Sequence, residues 1–281
     1  MSVLVPANTP ASVIDSDPPG RVVDLSGVRF SWTGTSPYVV DIETMGVARG
    51  ERVFLRGPSG SGKSTLLSLL AGVVCPLEGT VQVLGRDIGA LASAQRDRFR
   101  ADHIGFIFQM FNLIPYLSVV ENVSLPCGFS ERRKARAGGD VEAEAVRLLE
   151  HLDMAGADVL RRPVTELSVG QQQRVAAARA LIGAPELVIA DEPTSSLDAD
   201  RRTAFIDLLF RECARERAAL VFVSHDASLA PLFDRTLEFS KLNRACEDST
   251  AQVSAAPAMR SLSRDGKEGE AVRGGNRERS I

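Results

Sequence analysis

Apolar and polar residues alternate along the first third of the chain with the period of two that half-buried strands show. This alternation predicts strands in VVDLSGVRFSW, YVVDIETMGVA and the short stretch TVQVLG. The stretch ERVFLRG predicts a further strand that ends at Gly57, and KSTLLSLLAGV predicts a helix that ends at Gly72. Because strands that follow one another closely can pair in opposite directions, we expect a small antiparallel β subdomain at the start.

Farther along the chain, almost wholly apolar strands alternate with helices. ELVIA and AALVFVS are typical of strands buried on both faces of a parallel sheet, and IGFIF is a similar compact run. Helical spacing predicts helices in DVEAEAVRLLEHLDMAG, in QQQRVAAARALIG and between residues 199 and 217, and RTLEFS is compatible with a last strand. This order predicts an α/β fold with a mainly parallel sheet core, and a helical subdomain at about residues 90–165.

The composition changes at both ends of the chain. Residues 1–20 are rich in Pro, Ser, Asp and Thr, and residues 241–281 contain no aromatic residue. Segments of this kind bury too little apolar surface to fold on their own. We therefore expect one domain at residues 21–240, with a disordered N-terminal extension at 1–20 and a disordered C-terminal tail at 241–281.

The overall composition is that of a soluble globular protein. Hydrophobic residues make up 44% and charged residues 25% of the 281 residues, and the net charge of −3 gives no reason to expect a nucleic-acid partner. The four cysteines show no CxxC spacing, which fits a reducing compartment. No apolar run is long enough to span a bilayer, and the start lacks a secretory signal. If the protein works at a membrane, we expect another chain to provide the membrane part.

The stretch Gly57–Ser64 matches the pattern GxxxxGK[ST] in full, between a predicted strand and a predicted helix. Glycines let such a loop wrap closely around phosphates, and the helix N-terminus adds its positive end. We expect Lys63 to bridge the β- and γ-phosphates, Ser64 to bind Mg²⁺ and Thr65 to hold the α-phosphate. A Gly/Ser linker would not end in a lysine and an apolar helix. The loop residues expected to contact the nucleotide are Gly57, Ser59, Gly60, Ser61 and Gly62.

Two carboxylates follow the apolar strand LVIA. A buried parallel strand delivers Asp191 and Glu192 to the sheet edge where ligands of open α/β sheets gather. We expect Asp191 to hold Mg²⁺ through water and Glu192 to act as general base on the attacking water. Acidic pairs after strands are also common as helix caps, and the phosphate loop in the same chain favours the catalytic interpretation.

Gln109 and His225 also follow apolar strands, in IGFIFQ and LVFVSH. A lone glutamine or histidine is usually structural or merely exposed. Both can nevertheless come from strands that lie next to the nucleotide strands, and their side chains suit a sensor of the γ-phosphate. His103 and His151 lack that setting, and we assign them no role.

Six stretches occur in the order found in the ATP-binding subunits of ABC transporters, and the chain resembles that family over about residues 22–240. They are GPSGSGKST (Walker A), Gln109 (Q-loop), LSVGQQQR (signature), LVIADE (Walker B), SSLD at 195–198 (D-loop) and His225 (switch histidine). The resemblance implies a P-loop NTPase fold of the ABC type and hydrolysis of ATP with Mg²⁺, which Gln109 also contacts. Trp32 stands where the family has an aromatic that stacks on adenine, although Tyr38 is nearby.

In this family two nucleotide-binding domains pair head to tail, and each ATP lies between the Walker A loop of one and the signature of the other. The resemblance therefore implies that Ser168, Gly170 and Gln171 contact ATP held by a second ATP-binding domain, and that Asp198 links the two sites. This chain departs from the family by having Val169 where Gly is usual. A β-branched residue tolerates fewer backbone conformations than Gly, but we expect activity to survive.

The stretch RADHIGFIFQMFNLIPYLSVVENVSLP resembles the bacterial subgroup that includes macrolide exporters, lipoprotein-release ATPases and the cell-division ATPase. This resemblance implies an integral membrane permease as partner at the inner membrane, and export or extraction of a substrate. A soluble ABC ATPase that drives a cell-division or repair complex is the alternative. The residues expected to form the groove for the permease are Phe111, Leu113, Ile114, Pro115 and Tyr116, although packing inside the helical subdomain is an alternative for them.

Overall fold

The structure, a computed structural model, describes residues 20–246 except residues 155 and 196. The expected disorder at residues 1–20 and 241–281 therefore falls almost wholly outside the described residues. The described strands are β1 (Arg21–Phe30), β2 (Val40–Ala48), β3 (Arg52–Arg56), β4 (Glu78–Val83), β5 (Arg86–Asp87), β6 (Ile104–Ile107), β7 (Leu187–Asp191), β8 (Ala219–Val223) and β9 (Arg235–Glu238).

The described helices are α1 (Lys63–Leu70), α2 (Ser93–His103), α3 (Val119–Ser124), α4 (Glu131–Arg136), α5 (Val141–His151), α6 (Ala157–Leu160), α7 (Val169–Leu181), α8 (Ala199–Glu216) and α9 (Phe239–Leu242). Short 3₁₀ helices occupy Leu125–Gly128, Val164–Glu166 and Ala227–Leu232. Among the described residues, no helix combines the length and the apolar character that crossing a bilayer requires.

The first strands form an antiparallel sheet in the order β2-β1-β4-β5. At its centre, Leu25 of β1 lies opposite Met45 of β2 on one side and Val81 of β4 on the other. All three side chains are buried, which matches the alternation of apolar positions in the sequence. The expected antiparallel β subdomain is confirmed.

The second sheet is wholly parallel, with the order β6-β7-β8-β3-β9. Its side chains alternate between two hydrophobic cores. Val53 and Leu55 of β3 join the core that includes the antiparallel sheet and α1, whereas Phe54 joins the core that includes α5, α7 and α8. The strands are buried on both faces, which is why their sequences lack a polar side.

The helical region expected at residues 90–165 contains β6, which is an edge strand of the parallel sheet. Arg133 of α4 holds the helices on this strand. Its guanidinium is 2% exposed and donates to the backbone oxygens of Ile104, Ala180 and Ile182. Burial lowers the pKa of Arg133 to about 10, which leaves it charged at neutral pH.

The chain continues to pack against the domain beyond residue 240. The strand predicted in RTLEFS ends at Glu238, and α9 follows it directly. Asn243 is 1% exposed, and Arg244 forms ion pairs with Asp41 and Glu43 of β2. The boundary expected between residues 240 and 241 therefore falls inside α9. Buried Asn243 and the ion pairs of Arg244 hold the residues that follow it on the domain.

Candidate nucleotide-binding site

The parallel sheet brings four sequence-predicted elements to one edge. The strands β6, β7, β8 and β3 are consecutive neighbours, and their carboxyl ends lead to Gln109, to Asp191 and Glu192, to His225 and to the loop Gly57–Gly62. We call this loop the P-loop. The carboxyl edge of an open parallel sheet is where ligands bind in α/β proteins.

The P-loop leads into the N-terminus of α1. Gly62 has a φ of 103°, and a Cβ atom built there would lie 2.8 Å from the backbone oxygen of Val39, so only glycine fits. No side chain caps α1, and its first turn has no acidic residue. The N–H groups of its first turn are therefore available to an anion.

Two side chains, one in the P-loop and one at the start of α1, can make further hydrogen bonds to a ligand. The Lys63 ammonium donates to the backbone oxygens of Gly57 and Pro58, at 2.9 and 2.7 Å. Within the described residues, the buried Ser61 hydroxyl has no hydrogen-bond partner. A buried polar atom without a partner is costly, and a phosphate oxygen would satisfy it. Thr65, in the first turn of α1, is 8% exposed.

Ser64 and Asp191 form a pair of oxygen ligands between α1 and β7. The Ser64 hydroxyl donates to Asp191 Oδ2 at 3.2 Å. Burial raises the pKa of Asp191, while the Ser64 hydrogen bond and the Lys63 charge act in the opposite direction. Hydroxyl and carboxylate oxygens are the ligands that Mg²⁺ prefers, so these residues fit that ion.

Glu192 and His225 lie in direct contact at the ends of β7 and β8. His225 Nδ1 is 3.0 Å from Glu192 Oε2, and the Glu192 side chain is 14% exposed. Glu192 has a φ of 46°, and its N–H donates to the backbone oxygen of Val223. A non-glycine residue in the left-handed region is strained, and such residues cluster at active sites. The turn carries the carboxylate off the strand axis toward His225.

Asp198 caps α8 by accepting a hydrogen bond from the Arg201 N–H at 3.0 Å. The next residue along, Arg202, joins the D-loop to the segment after β8. Its guanidinium donates to the backbone oxygen of Leu197 and to the Asp226 carboxylate, directly after His225. Sequence reasoning missed Arg202, because a helical arginine carries no motif. Ser196 of the D-loop lies outside the described residues.

The signature residues form the N-terminus of α7. Ser168 and Gln171 satisfy each other's backbone: the Ser168 hydroxyl accepts from Gln171 N–H, and Gln171 Oε1 accepts from Ser168 N–H. Ser168 is exposed and Gly170 half-buried. Val169 is the first helical residue and needs no left-handed backbone, so its β-branch causes no strain. Its side chain is 48% exposed.

The same helix holds the segment that follows Gln109. The Arg179 guanidinium donates to the backbone oxygens of Phe111 and Asn112, both of which have a positive φ. Arg179 is 9% exposed, and burial lowers its pKa. A movement of α7 would therefore shift the backbone of the segment that follows Gln109. Gln109 itself is exposed.

Trp32 is an aromatic side chain that is open to solvent. It lies on the loop between β1 and β2, is 64% exposed and packs edge-on against Phe30 at 5.0 Å. Tyr38 has other contacts, because its hydroxyl donates to Glu78 and Arg29 lies over its ring. An exposed indole can stack on a planar base, so Trp32 is better suited to adenine than Tyr38.

These features define a P-loop ATPase of the α/β class, with carboxylates of Walker B type at the edge of the sheet. The sequence profile described as "ABC transporter" matches residues 41–195. The lipoprotein-releasing system ATP-binding protein LolD of Xanthomonas euvesicatoria is 40% identical over 203 residues, which cover 72% of this chain and 81% of that protein. An uncharacterised ABC transporter ATP-binding protein of Mycobacterium tuberculosis is also 40% identical, over 77% of this chain and 86% of its own length.

Solved structures indicate the same family. A dimeric ATP-binding cassette in a post-hydrolysis state, bound to ADP and phosphate, is 33% identical with a TM-score of 0.68 and covers 77% of this chain and 94% of its own. The chain belongs to the ATP-binding proteins of the ABC transporter family. It is a nucleotide-binding ATP hydrolase, and these relatives favour a transporter ATPase over a soluble machine.

Proposed function

We propose that this ATPase works at the cytoplasmic face of the inner membrane, where it energises a separate permease that exports or extracts a substrate. The observation that carries this proposal is a groove of about 850 Å³ beside the Q-loop. The relatives of this chain include a protein named for a lipoprotein-releasing system, which supports extraction of a substrate from a membrane.

The groove is lined by aromatic, aliphatic and charged side chains. Phe129 is 73% exposed and Phe108 is 38% exposed, in a structure where most aromatic side chains are buried. Exposed apolar clusters of this kind mark protein interaction sites. Further lining residues are Arg98, Asp102, Phe106, Leu125, Pro126 and Glu131. We propose a short amphipathic helix of the permease, with an apolar anchor and charged flanks, as the occupant.

None of the five residues expected to form the groove for the permease is among the residues that line this one. Phe111 is 8% exposed and packs in a hydrophobic core, which is the alternative that the sequence left open for it. Arg179 holds its backbone there. Met110 and Tyr116 are 81% and 83% exposed and are available to a partner. Arg179 also lines the groove, so one side chain connects the signature helix to the docking surface.

We propose the following roles in the nucleotide site. The P-loop and Lys63 bind the phosphates, Thr65 holds the α-phosphate, Trp32 stacks on adenine, and Ser64, Asp191 and Gln109 hold Mg²⁺. When bound, Mg²⁺ neutralises charge on the phosphates. Glu192 takes the proton of the attacking water, and His225 holds the Glu192 carboxylate in place through its 3.0 Å contact.

The second half of the site comes from another ATP-binding domain. Ser168, Gly170 and Gln171 lie at an exposed helix N-terminus, which is suited to a phosphate. The similar solved cassette is dimeric. ATP contacts both halves of the site only when the dimer is closed. ATP binding would therefore close the dimer, and hydrolysis would allow it to open. We propose Asp198, at the start of α8, as the link between the two sites.

The test is a matched pair of variants in the organism's own membranes. The tagged full chain and Phe129→Glu are purified from detergent-solubilised membranes, and the copurified membrane protein is reconstituted with each. We expect the wild type to retain a polytopic membrane protein that changes its ATPase rate, and Phe129→Glu to lose both effects. The control is Val73→Glu, since Val73 is 60% exposed but does not line the groove.

Basal ATPase activity of Phe129→Glu should equal that of the wild type, which separates lost docking from lost catalysis. Retention of a soluble protein complex with no membrane protein would favour the alternative, a non-transport machine. Undiminished stimulation of Phe129→Glu by the membrane protein would contradict the groove as its docking site.

A further inference from the structure

The residues after β9 form the floor of the P-loop. Phe239 is fully buried, and a Cβ atom built on Gly57 would lie 2.9 Å from its Cβ. A Cβ atom on Gly62 would lie 3.5 Å from the Phe239 ring. Both ends of the P-loop therefore rest on this side chain. From the sequence, the domain was expected to end at residue 240, and the residues that follow had no predicted role.

Asn243 fills the space beside Phe239 with a fully bonded amide. Its Nδ2 donates to the backbone oxygens of Val39 and Ser61, at 2.9 and 3.2 Å. Its Oδ1 accepts from the N–H groups of Asp41 and Ala245, at 2.7 and 3.3 Å. Two carbonyls on one side and two N–H groups on the other fix the orientation of the amide.

The bond to Ser61 fixes the peptide plane between Ser61 and Gly62. In a trans peptide the C=O and the following N–H point in opposite directions. Because the Ser61 oxygen is bound to Asn243, the Gly62 N–H points away from Asn243 and from the floor of the loop. Gly62 directly precedes α1, so this plane sets the start of the run of N–H groups that face a phosphate.

We propose that Asn243 is a positioning residue for nucleotide binding, which holds the P-loop in its phosphate-binding shape. The same side chain holds Val39, at the end of the loop that carries Trp32, so it ties the base side of the site to the phosphate side. This proposal rests on nucleotide binding by the P-loop and is independent of any membrane partner.

The decisive variant is Asn243→Asp in the full chain. A carboxylate still accepts from the Asp41 N–H, but it donates nothing to Val39 and Ser61 and repels their oxygens. We expect MgADP to bind about tenfold more weakly by calorimetry, as for the loss of a buried hydrogen bond that leaves its partners unpaired. The control is Arg244→Ala, which removes the ion pairs to Asp41 and Glu43 from the same segment. Its affinity should stay within about twofold of wild type, inside the ordinary effect of surface substitutions.

A merely structural role would lower the melting temperature without changing the affinity of the folded protein. Asn243→Ser provides a second, milder variant, measured by calorimetry and by hydrogen exchange of the amides at 57–64. We expect faster exchange there and unchanged exchange in β7. Wild-type affinity for MgADP in Asn243→Ser, with unchanged exchange, would overturn the proposal even if Asn243→Asp does not fold. Failure of the wild type itself to bind MgADP would instead count against the nucleotide site.

Discussion

His225 Nδ1 lies 3.0 Å from Glu192 Oε2, across the ends of two neighbouring parallel strands. The contact pairs the residue predicted as general base with one of the two residues predicted as γ-phosphate sensors. The His225 side chain is 70% exposed, whereas the Glu192 side chain is only 14% exposed. This arrangement allows each side chain to be tested with the other in place.

Glu192→Gln should keep ATP affinity but lower phosphate release by about 10²-fold or more, because an amide accepts no proton from water. With MgATP it should accumulate as a dimer in size-exclusion chromatography. Glu150→Gln, an exposed glutamate on α5, is the matched control and should turn over normally. Normal turnover in Glu192→Gln would rule out this residue as the base.

Lys63→Ala should abolish measurable ATP binding, because it removes the ammonium that lies against the P-loop oxygens of Gly57 and Pro58. Equilibrium binding of a fluorescent ATP analogue provides the measurement. Lys134→Ala, which changes an exposed lysine on α4, should bind like the wild type. Equal affinity of both variants would count against the whole phosphate site.

Val169→Glu should prevent the ATP-bound dimer when it is introduced together with Glu192→Gln. Val169 is 48% exposed at the N-terminus of α7, so a carboxylate there would face the triphosphate of the second domain. Val73→Glu in the same background should still dimerise. Multi-angle light scattering with MgATP distinguishes the two masses. A full dimer in the Val169→Glu variant would contradict the head-to-tail arrangement.

Protonation of Glu186 should lower the stability of the protein at acid pH. Burial raises its pKa, but hydrogen bonds from His103 and Arg132 outweigh burial and lower the pKa to about 2, from 4.5. Since the folded pKa is depressed, the ionised carboxylate stabilises the fold above pH about 4.5, and this contribution is lost as the pH falls toward 2.

The shift corresponds to about 3 kcal/mol. Between pH 5 and pH 2, the free energy of unfolding in urea should therefore fall less in Glu186→Gln than in the wild type, by up to about 3 kcal/mol. Near neutral pH the variant should be less stable, because two arginines lose their buried partner. Glu142→Gln, which changes an exposed carboxylate, is the control. Equal pH dependence in the wild type and Glu186→Gln would contradict the prediction.

The sequence alone determined the fold class and the phosphate loop, because both depend on local patterns. Period-two alternation fixed the antiparallel strands, wholly apolar runs fixed the parallel ones, and GPSGSGKST needed only its own strand and helix. The signature, by contrast, was identified through its resemblance to the family. These patterns indicate the burial and conformation of a segment, and each one lies within a single short stretch of the sequence.

Only the tertiary structure decided which segments meet. Ser64 and Asp191 are 127 residues apart, and the parallel order of the strands brings them together. The bond from Arg179 to the Phe111 backbone oxygen spans 68 residues, and the bond from Asn243 to the Ser61 oxygen under the P-loop spans 182. Hydrophobic periodicity says that a residue is buried but not against what. The composition after residue 240 therefore resembled a tail, although its first residues complete the floor of the site.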